Sequence, residues 1–312
     1  MNLTDQTVLT FFVIKGISDA PSLQLPIFLL VLFIYVITVC GNGTILFIVS
    51  QQPQLHTPMY FLLCNLSVLD ISYSTVTLHK ILVSFVSGDK TVSVNACRAQ
   101  MFIFTSLVCN ELLILTAMSY DRYVAICNPL HYSTIMSRSV CGILSSVCWM
   151  LGFLESMPHI ILISRFTCYK SKVIDHFFCD IVPLLNLSCN DTSLSKFLMF
   201  ICGLFLATFP FFLTFIPYVF IIRNIMRIPL KTGKYKAFYT CSSHLTVVVL
   251  LYVTLVCQYL RPASVETLES NKLFSLFNTA AVPLLNPLIY SLKNQDVKSA
   301  LKRSWHQLTK KL

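Results

Sequence analysis

Seven long apolar stretches, separated by short polar ones, organise the chain from end to end. They run near Pro26–Val49, Pro58–Phe85, Cys97–Cys127, Val140–Ile163, Phe197–Met226, Ala237–Leu260 and Leu273–Leu292. A helix of ~20 residues crosses ~30 Å of hydrocarbon, and each stretch reaches that length. Backbone groups in lipid must bond within their own segment, so the pattern predicts helices. The ten-residue alternation of a membrane barrel is missing. The expected fold is therefore an all-α seven-helix membrane bundle over 26–292. Residues 1–25 are expected outside and 293–312 form a cytosolic tail.

Composition agrees with this pattern. Hydrophobic residues make up 55% of the 312 and charged residues 12%, about half the charge of a soluble domain. Basic residues collect on one side of the spans. Arg223, Arg227, Lys231, Lys234 and Lys236 lie between spans five and six, without an acid among them. Lys293, Lys298, Lys302, Arg303, Lys310 and Lys311 follow span seven against the single Asp296. Basic loops stay in the cytosol, which places the N-terminus outside. The net charge of +10 then marks topology and anionic lipid, not nucleic acid. No basic start followed by a short apolar run precedes span one, so span one is expected to direct insertion.

Polar residues inside apolar spans carry the chemistry, because exposing them to lipid is costly. Asn42 reads as a helix–helix hydrogen bond. Asp70 in span two and Glu111 in span three are two acids at similar depth. They suggest a shared proton, a water cluster or a sodium ion. Pro287 in Asn286-Pro287-Leu288-Ile289-Tyr290 should kink span seven near the cytosolic end. Asp121-Arg122 closes span three at the same depth, and an Arg tied to its neighbouring Asp is a two-state element. His159 and His244 read as core histidines. No Ser-His-Asp or metalloprotease spacing appears, so no enzyme is expected.

Outer segments hold Cys97, Cys168, Cys179 and Cys189, in a compartment that permits disulfides. His176-Phe177-Phe178-Cys179-Asp180 would suit a soft metal only if Cys179 were a free thiol. Asn2-Leu3-Thr4 is a glycosylation sequon on the outer side, as are those at Asn186 and Asn190. Those at Asn42 and Asn65 fall within spans and should be silent. The tail spaces Val297, Ala300, Leu301, Trp305 and Leu308 on one helical face flanked by basic residues. That pattern predicts a short amphipathic eighth helix along the inner membrane surface.

Four motifs occur in order at fixed places. They are Leu55-His56-Thr57-Pro58-Met59-Tyr60-Phe61-Leu62, Met118-Ser119-Tyr120-Asp121-Arg122-Tyr123-Val124-Ala125-Ile126-Cys127, Lys236-Ala237-Phe238-Tyr239-Thr240-Cys241-Ser242-Ser243-His244-Leu245 and Pro283-Leu284-Leu285-Asn286-Pro287-Leu288-Ile289-Tyr290-Ser291-Leu292-Lys293-Asn294. Across essentially its whole length the chain resembles the olfactory (odorant) receptors, a branch of the rhodopsin-like G-protein-coupled receptors. It departs at Ser119, where the family usually has Ala, at Tyr239, where Ser is usual, and at Pro217, where Ser is usual before Tyr218.

The resemblance implies disulfides Cys97–Cys179 and Cys168–Cys189 over the outer mouth of the bundle. It implies a switch at the cytosolic end built from Asp121, Arg122, Tyr123, Tyr218, Asn286, Pro287 and Tyr290. Below the outer loop it implies a ligand site. Phe104, Thr105, Val108, Cys109 and Leu112 share one face of span three and would line it. Cys202, Leu206 and Ala207, Tyr252, Leu255 and Tyr259, and Leu276 and Thr279 would complete the wall from spans five, six and seven. The outer half of span three has no acid to pair an ammonium, which argues against a biogenic amine. Mostly apolar walls with a few hydroxyls and thiols suit a small, weakly polar volatile. The expected partners are such an odorant, a stimulatory heterotrimeric G protein raising cyclic AMP, and the bilayer. No cofactor other than a sodium ion is expected. The expected location is the plasma membrane, in the cilia of olfactory sensory neurons. A receptor of the same fold for a metabolite or peptide, and a transporter or channel, are the competing classes. The second would show repeated halves or a polar path, and neither is seen.

Overall fold

A computed structural model describes residues 9–227, 231–259, 268–293 and 297–303 of the chain. In chain order the elements are β1 (Phe11–Ile14), α1 (Pro21–Gln51), α2 (Pro58–Ser87), β2 (Thr91–Ser93), α3 (Val94–Cys127), α4 (Tyr132–Ile135), α5 (Arg138–Ser164), β3 (Val173–Ile174), α6 (Ile181–Leu187), α7 (Ser193–Arg227), α8 (Lys231–Tyr259), α9 (Leu268–Leu276) and α10 (Val282–Lys293). A π-helical turn, Phe277–Ala281, joins α9 to α10. Among the described residues six helical segments are long and apolar enough to cross a membrane, and α8 adds the apolar run Cys241–Cys257. They fall where the apolar stretches predict spans.

The helix ends follow local chemistry. Proline begins α1 and α2, where a missing N–H costs nothing. Ser93 and Ser137 cap α3 and α5 by accepting the N–H groups of Ala96 and Val140. Gly88, at φ 73°, ends α2 in the left-handed region that side chains resist. The long helix α3 is the axis of the bundle and packs chiefly on α5, α7 and α2. By contrast, α7 turns Phe197, Phe205, Phe212 and Val219 outward, as a lipid-facing surface requires.

Span seven is built around Pro287. That residue has no N–H to offer the carbonyl of Pro283, four residues earlier. The Asn42 amide of α1 donates to that carbonyl at 3.3 Å and to Thr38 at 3.1 Å. Gly41 lets the helices close here, since a Cβ there would lie 3.2 Å from the Pro287 ring. Asn65, the other sequon within a span, is held at the α2–α5 contact. Its side-chain oxygen accepts from Ser145 at 2.8 Å and from the Trp149 indole at 3.1 Å. Residues 297–303 are helical, with Val297 and Ala300 buried and Leu301 47% exposed. Trp305 and Leu308 of the expected tail stripe lie outside the described residues, as do Asn2 and the side chains of Ala207 and Tyr259.

The outer segment before span one contributes a strand of its own. Strand β1 pairs antiparallel with β2 and parallel with β3, making a three-stranded sheet over the outer end of the bundle. Asp175 ties this cover down through ion pairs with Lys15, at 3.6 Å, and Lys272.

Candidate functional site

Both disulfides form. Cys97 at the start of α3 joins Cys179, and Cys168 joins Cys189 within the outer loop. With Cys179 oxidised, the 176–180 motif has no thiolate to offer a metal. Gln100, one turn beyond Cys97 in α3, reinforces the first bond. Its side-chain oxygen accepts the Cys179 N–H at 3.0 Å, and its amide donates to the Val76 carbonyl of α2 at 2.5 Å. The loop after Cys179 is thereby pressed onto the mouth of the bundle, and Asp180 and Ile181 turn inward.

Beneath them lies a cavity of about 220 Å³, between α3, α5, α7 and α8. An apolar cavity of ~150 Å³ already admits benzene. Thr105, Val108, Cys109 and Leu112 of α3, Leu206 of α7, and Tyr252 and Leu255 of α8 line it. The expected span-three face therefore borders a real space. Met199, Phe200, Gly203 and Val256 also line it, together with Glu155 and His159 from α5.

Four other expected lining residues lie outside this wall. Phe104 turns toward α2, its ring 5.1 Å from Tyr73 and 4.7 Å from Phe178. Cys202 sits behind the wall, beside Glu155 and His159. Leu276 packs with the clusters formed by α1 and α2. Thr279 is buried and its hydroxyl donates to the Ser275 carbonyl at 2.8 Å. The π turn adds a residue to span seven, which rotates everything before it away from a regular helical projection.

His159 is buried, as a core histidine would be, but it also borders the cavity. Its Nε2 stands 3.5 Å from Glu155 Oε1 and faces the cavity. Cys109 donates its thiol to Glu155 Oε2 at 2.9 Å. The missing acid of span three is thus supplied by span four.

Two titratable groups of the outer loop have opposite pH behaviour. Asp180 caps α6 by accepting the Ile181 N–H at 2.7 Å, and burial raises its carboxyl from 3.8 to about 6. It therefore stabilises the fold fully below 3.8, and that contribution is lost as pH rises through about 6. His176 packs its ring 4.6 Å from Phe177 and 4.7 Å from Phe178. Burial, then the charge of Lys272, lowers it from 6.5 to about 3. Its contribution is present above 6.5 and is lost as pH falls toward about 3. Each unit of pH below 6.5 removes about 1.4 kcal/mol through this residue. His176→Asn should therefore lose less thermal midpoint than the parent when the sample is acidified below 6.5. Equal losses in both would show that the histidine does not carry the effect.

At the opposite end, Arg122 Nη2 lies 3.3 Å from Asp121 Oδ2, and the Tyr132 hydroxyl donates to Asp121 Oδ1 at 2.8 Å. Tyr218 pairs with His244 Nδ1 at 2.6 Å and packs in a cluster with Tyr123. Asn286 donates to both oxygens of Asp70, at 2.9 and 3.2 Å, and Glu111 is buried on the neighbouring helix. Tyr290 is buried in the main core beside Val297 and Ala300. The expected switch residues thus fall in separate clusters along the bundle rather than in one.

A model of the olfactory receptor family matches residues 31–308 of the chain. This chain belongs to the olfactory receptor family. It is 43% identical to human olfactory receptor 5B21, an alignment covering 99% of this chain and 98% of that one. Mouse olfactory receptor 5AR1 is 44% identical, over 97% of this chain and 98% of its own. The crystal structure of squid rhodopsin superposes with a TM-score of 0.71 at 18% identity, over 93% of this chain and 88% of that chain. That likeness gives the fold, a rhodopsin-like helix bundle. This olfactory receptor is accordingly a multi-pass membrane receptor and not an enzyme.

Proposed function

We propose that this receptor binds a small, weakly polar volatile in the cavity between α3, α5, α7 and α8. Binding there would activate a stimulatory G protein of the olfactory type and raise cyclic AMP, at the membrane of sensory cilia. The observation that carries the reading is the cavity itself. It is apolar on most sides, closed above by the disulfide-anchored loop, and bordered by seven of the residues that the resemblance assigns to ligand. Size favours a small ligand, and the hydroxyls of Thr105 and Tyr252 with Glu155 and His159 offer it a few polar contacts. Asp70 and Glu111, buried together below the cavity, would hold a sodium ion or share a proton.

An odorant panel on cells reporting cyclic AMP tests this, and Gly203 supplies the decisive variant. A Cβ at Gly203 would meet nothing within 4 Å, in a wall that faces the cavity. Gly203→Phe should therefore fill the space without straining the helix. We expect normal surface level and at least about a tenfold loss of odorant potency, the equivalent of ~1.4 kcal/mol of binding. An unchanged dose–response curve in Gly203→Phe would remove the cavity from the mechanism.

A further inference from the structure

Three side chains able to ligate a metal meet at the edge of the cavity, Glu155 and His159 in its wall and Cys202 behind them. Glu155 and His159 stand four residues apart on the same face of α5, and Cys202 approaches from α7. One ligand atom from each lies within 4.8 Å of the others, the only such cluster among the described residues. His159 is buried, and Glu155 and Cys202 are half-buried. We propose that this cluster binds a borderline-soft divalent cation of the zinc class, through the Glu155 carboxylate, the His159 imidazole and the Cys202 thiolate.

The donor set decides the kind of ion. Sulfur and nitrogen donors with a single carboxylate suit zinc or its first-row neighbours and not calcium or magnesium, which take oxygen. Around a tetrahedral zinc with bonds of ~2.0–2.3 Å, ligand atoms sit roughly 3.3–3.8 Å apart. The cluster is thus up to about one ångström more open than that, a difference that binding would close by rotating the half-buried Cys202 side chain. Cys109 already fixes the carboxylate by donating to Oε2. This leaves Oε1 on the side of His159, an orienting contact of the kind that metal ligands use. An ordinary Glu–His ion pair accounts for α5 but not for a cysteine of α7 at the same point.

Binding would displace the Cys202 thiol proton to solvent, so affinity must fall on acidification. The ion would also bridge α5 and α7 and keep one coordination position toward the cavity, since Glu155 and His159 both line it. The inference shares a wall with the proposed odorant site but does not rest on odorant signalling, because metal is read directly.

The test uses the full-length receptor in lipid nanodiscs, titrated with Co²⁺ as a spectroscopic stand-in and then with Zn²⁺. The expected result is a sulfur-to-cobalt charge-transfer band that zinc abolishes, together with a zinc-induced rise in thermal midpoint. Cys202→Ser should lose the band, and His159→Gln should bind at least about tenfold more weakly. Cys64→Ser and Cys257→Ser should match the parent. Should Cys202→Ser fail to fold, His159→Gln alone decides. A parent receptor without the band would overturn the proposal, and so would a band of parental affinity in either site variant. Neither of these results bears on odorant activation.

Discussion

Serine at Cys97 and serine at Cys179 are expected to be equally damaging, and serine at both no worse than either alone. The bond they form spans 82 residues of sequence. In the chain-entropy account such a link restricts the unfolded chain by about 4.5 kcal/mol. Proteins of this kind have only ~5–15 kcal/mol in hand, so each single variant should largely fail to reach the cell surface. The effect is local as well as entropic. The bond and Gln100 together press the 176–181 segment over the cavity, so receptor that survives should also respond poorly to odorant. Cys168–Cys189 spans 21 residues, worth about 3 kcal/mol in the same account, and its loss should be milder. Surface labelling of the two single variants and the double variant checks the pairing. Losses that add in the double variant would mean the two cysteines act separately.

Arg122→Ala should abolish cyclic AMP signalling while leaving receptor at the surface. Asp121 is fully buried and receives two partners, Arg122 and the Tyr132 hydroxyl. Removing the guanidinium leaves Asp121 its hydrogen bond from the Tyr132 hydroxyl, so the carboxyl keeps one partner inside the bundle. The fold should therefore survive better than the loss of a buried ion pair suggests. Arg122→Lys is the companion variant. It keeps the charge beside Asp121 but not the planar fork, so it should be at the surface in parental amount and still couple poorly. Full-strength response of both variants to an odorant that activates the parent would remove Arg122 from the switch.

Much of this architecture could be read from residue pattern, and the rest shows where pattern stops. Apolar runs fixed the spans because the bilayer constrains length so strongly. The span-three face pointed at a cavity because Thr105, Val108, Cys109 and Leu112 follow an unbroken helical register. Phe104 belongs to the same face by spacing, yet its ring turns to Tyr73. One side chain's rotamer is not written in periodicity. Leu276 and Thr279 fell outside the wall, one just before and one within a π turn that no residue in the sequence announces. Glu155 and His159 carried a usable signal, an acid and a histidine four apart in an apolar span. Which neighbour they faced depended on the rotation of α5. The short strands of the outer sheet, of two to four residues, lie below the length at which alternation is visible. Two of the three departures from the family pattern belong to one place. Ser119 donates its hydroxyl to the Thr214 carbonyl at 2.7 Å, one turn before Pro217. What looked like separate exceptions in α3 and α7 meet at their contact.

The amide of Asn42 on the Pro283 carbonyl makes the bend of span seven a joint property of two helices. Neither residue carries a complete instruction. Asparagine without the proline would find that carbonyl already taken by a helical N–H, and proline without the asparagine would leave it bare. Gly41 extends the dependence, because a larger residue there would push the bent segment off its neighbour. Sequence change at 41, 42 and 287 is therefore constrained as a unit, and drift at any one of them must pass through a less stable receptor before a second change restores it.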